Sequence, residues 1–224
     1  KVACHYLLEK MRVAGVTKAY FILRQGKWDI PGYLGNGEMV KMRLGYLMMG
    51  LPFGTPYTLD QAYPFLQHSL VAFGFPDIIF GGHDAFVKLL ACQAATAADL
   101  VLGLFPADRP ATMDMVDVAD DGEVRAIIIK PPVTDLKYAW IIAVWTPVFT
   151  CFMHEFLQQH QAQNVAKAVQ DQSELSVGHV LQAARQDGLR LHSVLFSRHT
   201  YIDMGTPNNL IQAVYDKRLS TLSS

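Results

Sequence analysis

Two aspartates stand out for what surrounds them. Asp77 ends the front of an apolar run, V-A-F-G-F-P-D-I-I-F (Val71 to Phe80), and Asp203 closes Y-I-D ahead of M-G-T-P. Each carboxylate follows a stretch of strand character and precedes a turn, which is where ligands gather outside the carboxyl ends of strands in an open α/β sheet. Two such acids, far apart in sequence, can converge on one hard divalent cation, since Mg²⁺ is held by one or two carboxylates plus substrate phosphates. The plainer reading is that each aspartate shapes its own turn or caps a helix, and the pattern alone leaves both open. Other metal chemistry has less support. Cys4, Cys92 and Cys151 are widely spaced with no C-x-x-C, which argues against a disulfide framework or a zinc site and fits a reducing, cytoplasmic compartment. His179, His192 and His199 show no ligand spacing such as H-E-x-x-H and read as surface or satisfied core residues.

The elements that must position the two acids follow from periodicity and breakers. An amphipathic helix runs to Gly15, and strands are expected over Val16 to Leu23, Arg43 to Met49, from Val71 toward Asp77, Leu100 to Phe105, Tyr138 to Thr146 and Leu189 to Phe196. Helices are expected near Thr58 or Leu59 (with Thr58 as a plain N-cap), over Asp84 to Ala98, Pro147 to about Gln159, Ser176 to Asp187, and from Pro207 to about Arg218. Gln158 to Gln172 reads as an exposed, Gln-rich excursion. Asp121-Gly122 between β-branched runs is a hairpin signal. The sum is an α/β fold, a mostly parallel central sheet flanked by helices with an antiparallel hairpin insertion. Lys130 stands where the second hairpin strand meets Pro131, in a place where a lysine is either simply solvated or an anion anchor.

Composition narrows the partners. The 224 residues carry 19 Lys+Arg against 20 Asp+Glu, so no basic footprint for a nucleic acid is visible. Hydrophobics at 51% and charged residues at 17% describe one well-cored unit rather than a solvated or disordered chain. No apolar run reaches membrane-spanning length, no secretory signal pattern is visible, and homo-oligomerisation is left open. The absence of G-x-G-x-x-G, G-x-x-x-x-G-K-[ST] and G-x-S-x-G removes the motif warrant for dinucleotide oxidoreductases, P-loop NTPases and α/β-hydrolases.

The order F-P-D-I-I-F, D-D-G-E-V-R-A-I-I-I-K-P, Y-A-W-I-I-A-V-W, S-E-L-S-V-G-H-V-L-Q-A-A and Y-I-D-M-G-T-P-N-N-L-I-Q-A resembles the sugar-1-phosphate nucleotidyltransferases, especially the glucose-1-phosphate thymidylyl- and uridylyltransferase group. The similarity runs from Lys1 almost to the C-terminus, and D-x-G-T-P before a helix is its most specific part. It implies an enzyme that joins an NTP (dTTP or UTP) to a sugar 1-phosphate (glucose 1-phosphate) with Mg²⁺ and releases pyrophosphate. By the same resemblance Asp77 and Asp203 hold the metal, Lys130 meets the sugar phosphate, Thr58 and Gln61 lie along the base, and Glu174 approaches the sugar ring.

Several positions depart from the family pattern. Pro76 replaces a Gly before Asp77, Thr58 a Gly beside the base, and Ile129 a Glu before Lys130; Asp114 stands where Gly is common and His179 where Asp is common. The family's first strand and its G-x-G-T-R phosphate loop should lie ahead of Lys1, so residues 1–224 are expected to form a single nucleotidyltransferase-like domain lacking both, and to be inactive by themselves. A non-catalytic regulatory homologue and a glycosyltransferase using a finished nucleotide sugar are the competing classes, the second disfavoured by the lack of D-x-D at the Asp77 turn.

Overall fold

A computed structural model describes residues 1–50, 54–166, 175–197 and 200–215. In chain order these form α1 (Ala3–Val13), β1 (Lys18–Arg24), α2 (Asp29–Leu34), β2 (Arg43–Met49), α3 (Thr55–Asp60), α4 (Tyr63–Leu66), β3 (Val71–Gly74), β4 (Ile78–Phe80) and α5 (Ala85–Thr96). There follow β5 (Leu100–Pro106), β6 (Asp114–Val118), β7 (Val124–Ile129), β8 (Tyr138–Trp145), α6 (Pro147–Ala166), α7 (Val177–Gln186), β9 (Leu191–Leu195), β10 (Tyr201–Asp203) and α8 (Pro207–Tyr215).

The main sheet has the order β7-β6-β8-β5-β9, with β3 also on β8. β5 covers one edge of β8 along its length, and β3 and β6 divide the other. All three pairings with β8 are antiparallel, as is β6 with β7; β5 with β9 is parallel. The sheet is therefore mixed, which corrects the expectation of a mostly parallel one. The cause lies in the connections. A parallel neighbour needs a crossover of a dozen or more residues, usually a helix, whereas the tight Asp121-Gly122 turn reverses β7 against β6, and β8 enters on the other edge of β6 running against it as well. The Asp121-Gly122 hairpin forms as expected, with Gly122 at φ +92, and its two strands extend the main sheet.

β5 is buried along almost its whole length, so both of its faces must meet helices. On one side Val101 and Phe105 pack with Phe86 and Leu89 of α5 and with Leu7, Leu8 and Met11 of α1. On the other, Leu100, Leu102 and Leu104 pack with Phe149 and Met153 of α6 and with Val180, Leu181 and Ala184 of α7. Helices thus cover both faces of the sheet. α6 reaches Ala166, so Gln158 to Ala166 continue a helix rather than opening the expected excursion, the remainder of which lies outside the described residues. Among the described residues no helix is long and apolar enough to cross a membrane.

Two small ladders lie apart from the main sheet. β1 and β2 pair in parallel from Lys18↔Arg43 to Arg24↔Met49, and β4 pairs antiparallel with β10. Among the described residues β1 has no ladder partner besides β2, and β3 none besides β8. Between β1 and β3 lies a largely apolar slot of about 660 Å³, lined by residues 18–22 of β1 and 71–74 of β3.

Candidate functional site

The path from Val71 to Phe80 breaks in two at Phe75-Pro76-Asp77. Pro76 has no N–H for a ladder, the Ile78 N–H turns back to the Phe75 carbonyl (3.3 Å), and β4 leaves the main sheet to pair with β10. That second strand is what carries Asp77 to Asp203. Asp203 lies opposite Ile78 in the ladder, and the Met204 N–H donates to the Asp77 carbonyl at 2.9 Å.

The carboxyl groups meet over Gly205. The point where a Cβ would stand on that residue is 2.5 Å from Asp77 Oδ2 and 3.1 Å from Asp203 Oδ1. With 2.5 Å and 3.1 Å from one point the oxygens are at most about 5.6 Å apart, so the two carboxyl groups lie inside the roughly 8 Å within which their side chains can reach one ion, and any side chain at 205 would intrude between them. Asp203 is held at both oxygens: Oδ1 accepts from the Gly205 N–H at 2.8 Å and Oδ2 from Asn209 Nδ2 at 3.2 Å. The first of these is the turn-forming role that the plainer reading gave it. Asn209 is buried, its own N–H donates to Thr206 Oγ1 (3.2 Å), and Arg109 Nη1 donates to its Oδ1 (3.2 Å). Asn209 and Arg109 escaped the sequence reading. Asn209 sits in the first turn of α8, where a polar residue looks like capping, and Arg109 is a hundred residues away in sequence.

Asp77 is an exposed residue, yet the atoms packed around its carboxyl exclude enough water to push its pKa up, and the neighbouring Asp203 charge pushes the same way. Two hard oxygen donors that repel each other across a gap suit a cation, and Asp77 and Asp203 could hold a hard divalent ion. Among the described residues no group of three or more His, Cys, Asp or Glu gathers into a metal cluster.

Lys130 follows β7 directly, exposed, with its backbone at φ 43 and its N–H on the Met113 carbonyl at 3.1 Å. A left-handed conformation is uncommon for a lysine, and before a proline it is strained in a way that surrounding structure must maintain. The Lys130 charge acts on Asp114, the first residue of β6. Burial pushes the Asp114 carboxyl up, while Lys130 and His179 pull it back down. Asp114 Oδ1 is buried without a hydrogen-bond partner among the described residues, and a Cβ on Gly178 would overlap its carboxylate. Two departures from the family pattern, Asp114 and His179, are thus neighbours. Lys130 shares no hydrogen bond or ion pair with Asp77 or Asp203.

Thr58 is placed differently from the expectation. α3 begins at Thr55 behind Gly54 (φ 112) with Pro56 in its first turn, so Thr58 is inside the helix and not its N-cap. Its hydroxyl contacts Met49 Sδ (3.1 Å) and the Gly54 carbonyl (3.4 Å), and the residue lines the slot. Gln61 closes α3 and is exposed, with Nε2 on the Tyr57 carbonyl at 3.4 Å. Glu174 lies outside the described residues.

A sheet covered by helices on both faces is a fold this chain shares with solved nucleotidyltransferases. The chain superposes on a Bacillus anthracis protein assigned as a glucose-1-phosphate thymidylyltransferase and solved with sucrose, at a TM-score of 0.77 with 16% identity over 94% of this chain and 80% of that one. It matches UDP-glucose pyrophosphorylase complexed with UDP-glucose at 0.72 and 13% identity, covering 96% and 86% of the two chains. In sequence it is 23% identical over 216 residues to a low-salt glycan biosynthesis nucleotidyltransferase, Agl11, of Haloferax volcanii, and 23% identical over 217 residues to a glucose-1-phosphate thymidylyltransferase of Streptomyces antibioticus. Each alignment takes in 95% of this chain and 56% of the relative, so the chain spans little more than half of their length. No family model matches. The relatives and the structural neighbours support the resemblance read from the sequence.

Proposed function

We propose that this chain belongs to an enzyme that joins an NTP, dTTP or UTP, to a sugar 1-phosphate, glucose 1-phosphate, giving a nucleotide sugar and pyrophosphate. The observation that carries the reading is the convergence of Asp77 and Asp203 over Gly205. A sugar-phosphate oxygen attacks the α-phosphorus in line, a new P–O bond forms, and the bond to the β-phosphate oxygen breaks with its electron pair leaving on pyrophosphate. The chain supplies no nucleophile and acts by orientation and electrostatics. Mg²⁺, held by Asp77 and Asp203, neutralises charge on the phosphates when bound. Lys130, exposed at the end of β7, offsets the charge of the sugar phosphate as a point cation. Exposed Gln61 is the member of the α3 segment available to a base, while Thr58 supports the wall behind it. Glu174 is assigned to the sugar ring on the resemblance alone.

The test is pyrophosphate release by the full-length polypeptide with UTP or dTTP and glucose 1-phosphate. Asp203→Asn is expected to lower turnover by at least about a hundredfold, the scale of losing one electrostatic element of a transition state, with thermal stability nearly unchanged. Turnover that survives substitution of both aspartates would sink the assignment, and a full-length protein that binds nucleotide sugar without turnover would place it among non-catalytic homologues.

A further inference from the structure

Gln61 sits in a two-residue link between two short helices, and both ends of that link close on one side chain of α6. α3 has six residues and α4 four. Both fall far below the roughly 12–15 residues at which a helix begins to hold in isolation, so their placement is set by what they touch. Asp60, the last residue of α3, accepts from His154 Nδ1 at 2.9 and 3.0 Å on its two oxygens. Tyr63, the first residue of α4, lays its ring flat on the same imidazole, with centroids 3.8 Å apart and planes 6° from parallel. Only Gln61 and Ala62 lie between them. An ionised carboxylate only accepts, so Nδ1 carries the proton toward Asp60, and Nε2 is left to accept from Gln158 Nε2 at 2.8 Å. With both nitrogens occupied and one face covered, the ring is held in one orientation. The side chains of Asp60 and His154 are 17% and 26% exposed, a setting in which a hydrogen bond to a charged group is stronger than at a free surface. A second tie runs beside this one. Tyr57 Oη lies 2.8 Å from His160 Nδ1, further along α6, and the Tyr57 carbonyl accepts from Gln61 Nε2 at 3.4 Å. Ala62 is buried and Gln61 is the exposed member of the link.

We infer that His154 is a positioning residue for the nucleotide base, gripping the Gln61-Ala62 link at both ends so that the Gln61 amide is presented in one direction. This rests on the assignment of Gln61 to the base and goes beyond it, because His154 acts through Asp60 and Tyr63 rather than on the nucleotide. Equilibrium binding to the full-length polypeptide tests it without depending on turnover. Calorimetry compares UTP and dTTP with inorganic triphosphate, which carries the phosphates and lacks the base. His154→Ala is expected to weaken the better-bound nucleotide about tenfold, within the range of coupling between residues in contact, and to leave inorganic triphosphate within about twofold. In a Gln61→Ala background the same change should add less than about twofold, because the group being positioned is gone, whereas a merely structural role would add its full effect. His154→Asn, whose amide donates to Asp60 in place of Nδ1, should recover most of the lost affinity. Asp60→Asn leaves the ring stack in place and takes the place of His154→Ala in the cycle if that variant does not fold, with a loss in the same direction. Equal losses for nucleotide and inorganic triphosphate overturn the role of His154, as do losses that add in full to those of Gln61→Ala, no recovery with His154→Asn, or unchanged nucleotide binding. A parent protein that binds neither nucleotide overturns it together with the nucleotidyltransferase reading; the other four results overturn it alone.

Discussion

A carboxylate is useful to a cation only if it points the right way, and Asp203 is fixed at both oxygens while Asp77 is fixed at neither by a side chain. Asn209 supplies half of that restraint and is itself held by Arg109. Outer partners of this kind typically account for 10- to 100-fold in metal affinity. Asn209→Ala is therefore expected to weaken Mn²⁺ binding, titrated calorimetrically with NTP present, by about tenfold or more, with Arg109→Ala following in the same direction and by less. A second outcome follows from Asp77. Its carboxyl is pushed up by burial and by Asp203, so the folded protein binds that proton more tightly than the unfolded chain does. Stability is then full below the ordinary aspartate value of 3.8 and falls as pH rises through the raised folded value. Thermal melts between about pH 3.5 and 7 should show Asp77→Asn losing less stability across that window than the parent, and Mg²⁺ narrowing the difference. The two acids were legible from their strand-end settings. Asn209 and Arg109 were not, because the contact that gives them meaning is made by the fold between elements far apart in the chain.

Among the elements, the hydrophobic runs announced themselves and their directions did not. Leu100 to Phe105 and Tyr138 to Thr146 read as buried strands because little else is apolar for so many residues, and α5 and α7 read as helices from their periodicity. A buried run looks the same whichever way it travels, so the antiparallel pairing of β8 with β3, β5 and β6 had to wait for the connections. Asp77 was legible as a turn residue, but β4 was absorbed into the run before it, since three residues carry no period of their own. The start of α3 was missed for a similar reason: Gly54 and Pro56 look like loop punctuation, yet a proline in the first turn costs a helix nothing. Gly103 shows how tightly the centre of the sheet is built. A Cβ there would stand 2.5 Å from Ile142 Cγ1 and 3.3 Å from Phe196 Cε2, beside the register shift between β5 and β8. Gly103→Val is expected to destabilise the protein by about 1–3 kcal/mol, the range for overpacking a core, measured as a lower denaturant midpoint with unchanged slope.

For the whole molecule, the main sheet with α5, α6 and α7 packed on it is the rigid part, and the two small ladders hang from it. A two-stranded ladder is marginal by itself, so β1 and β2 depend on the cluster that Ala19, Phe21, Leu44 and Tyr46 share with α1, while β4 and β10 depend on the α1 and α8 contacts that surround Ile79 and Ile202. The five apolar residues Ala19 to Leu23 within β1 also form a segment of high β-propensity, bracketed by exposed Lys18 and Arg24. Charges at both ends of such a segment act as gatekeepers against self-stacking. Replacing both with valine should leave the ladder with β2 intact and shorten the lag before turbidity rises on warming. The β1 edge that faces the slot is thus the place where the molecule is most exposed to fibrillar assembly, and Lys18 and Arg24 hold that competition in check.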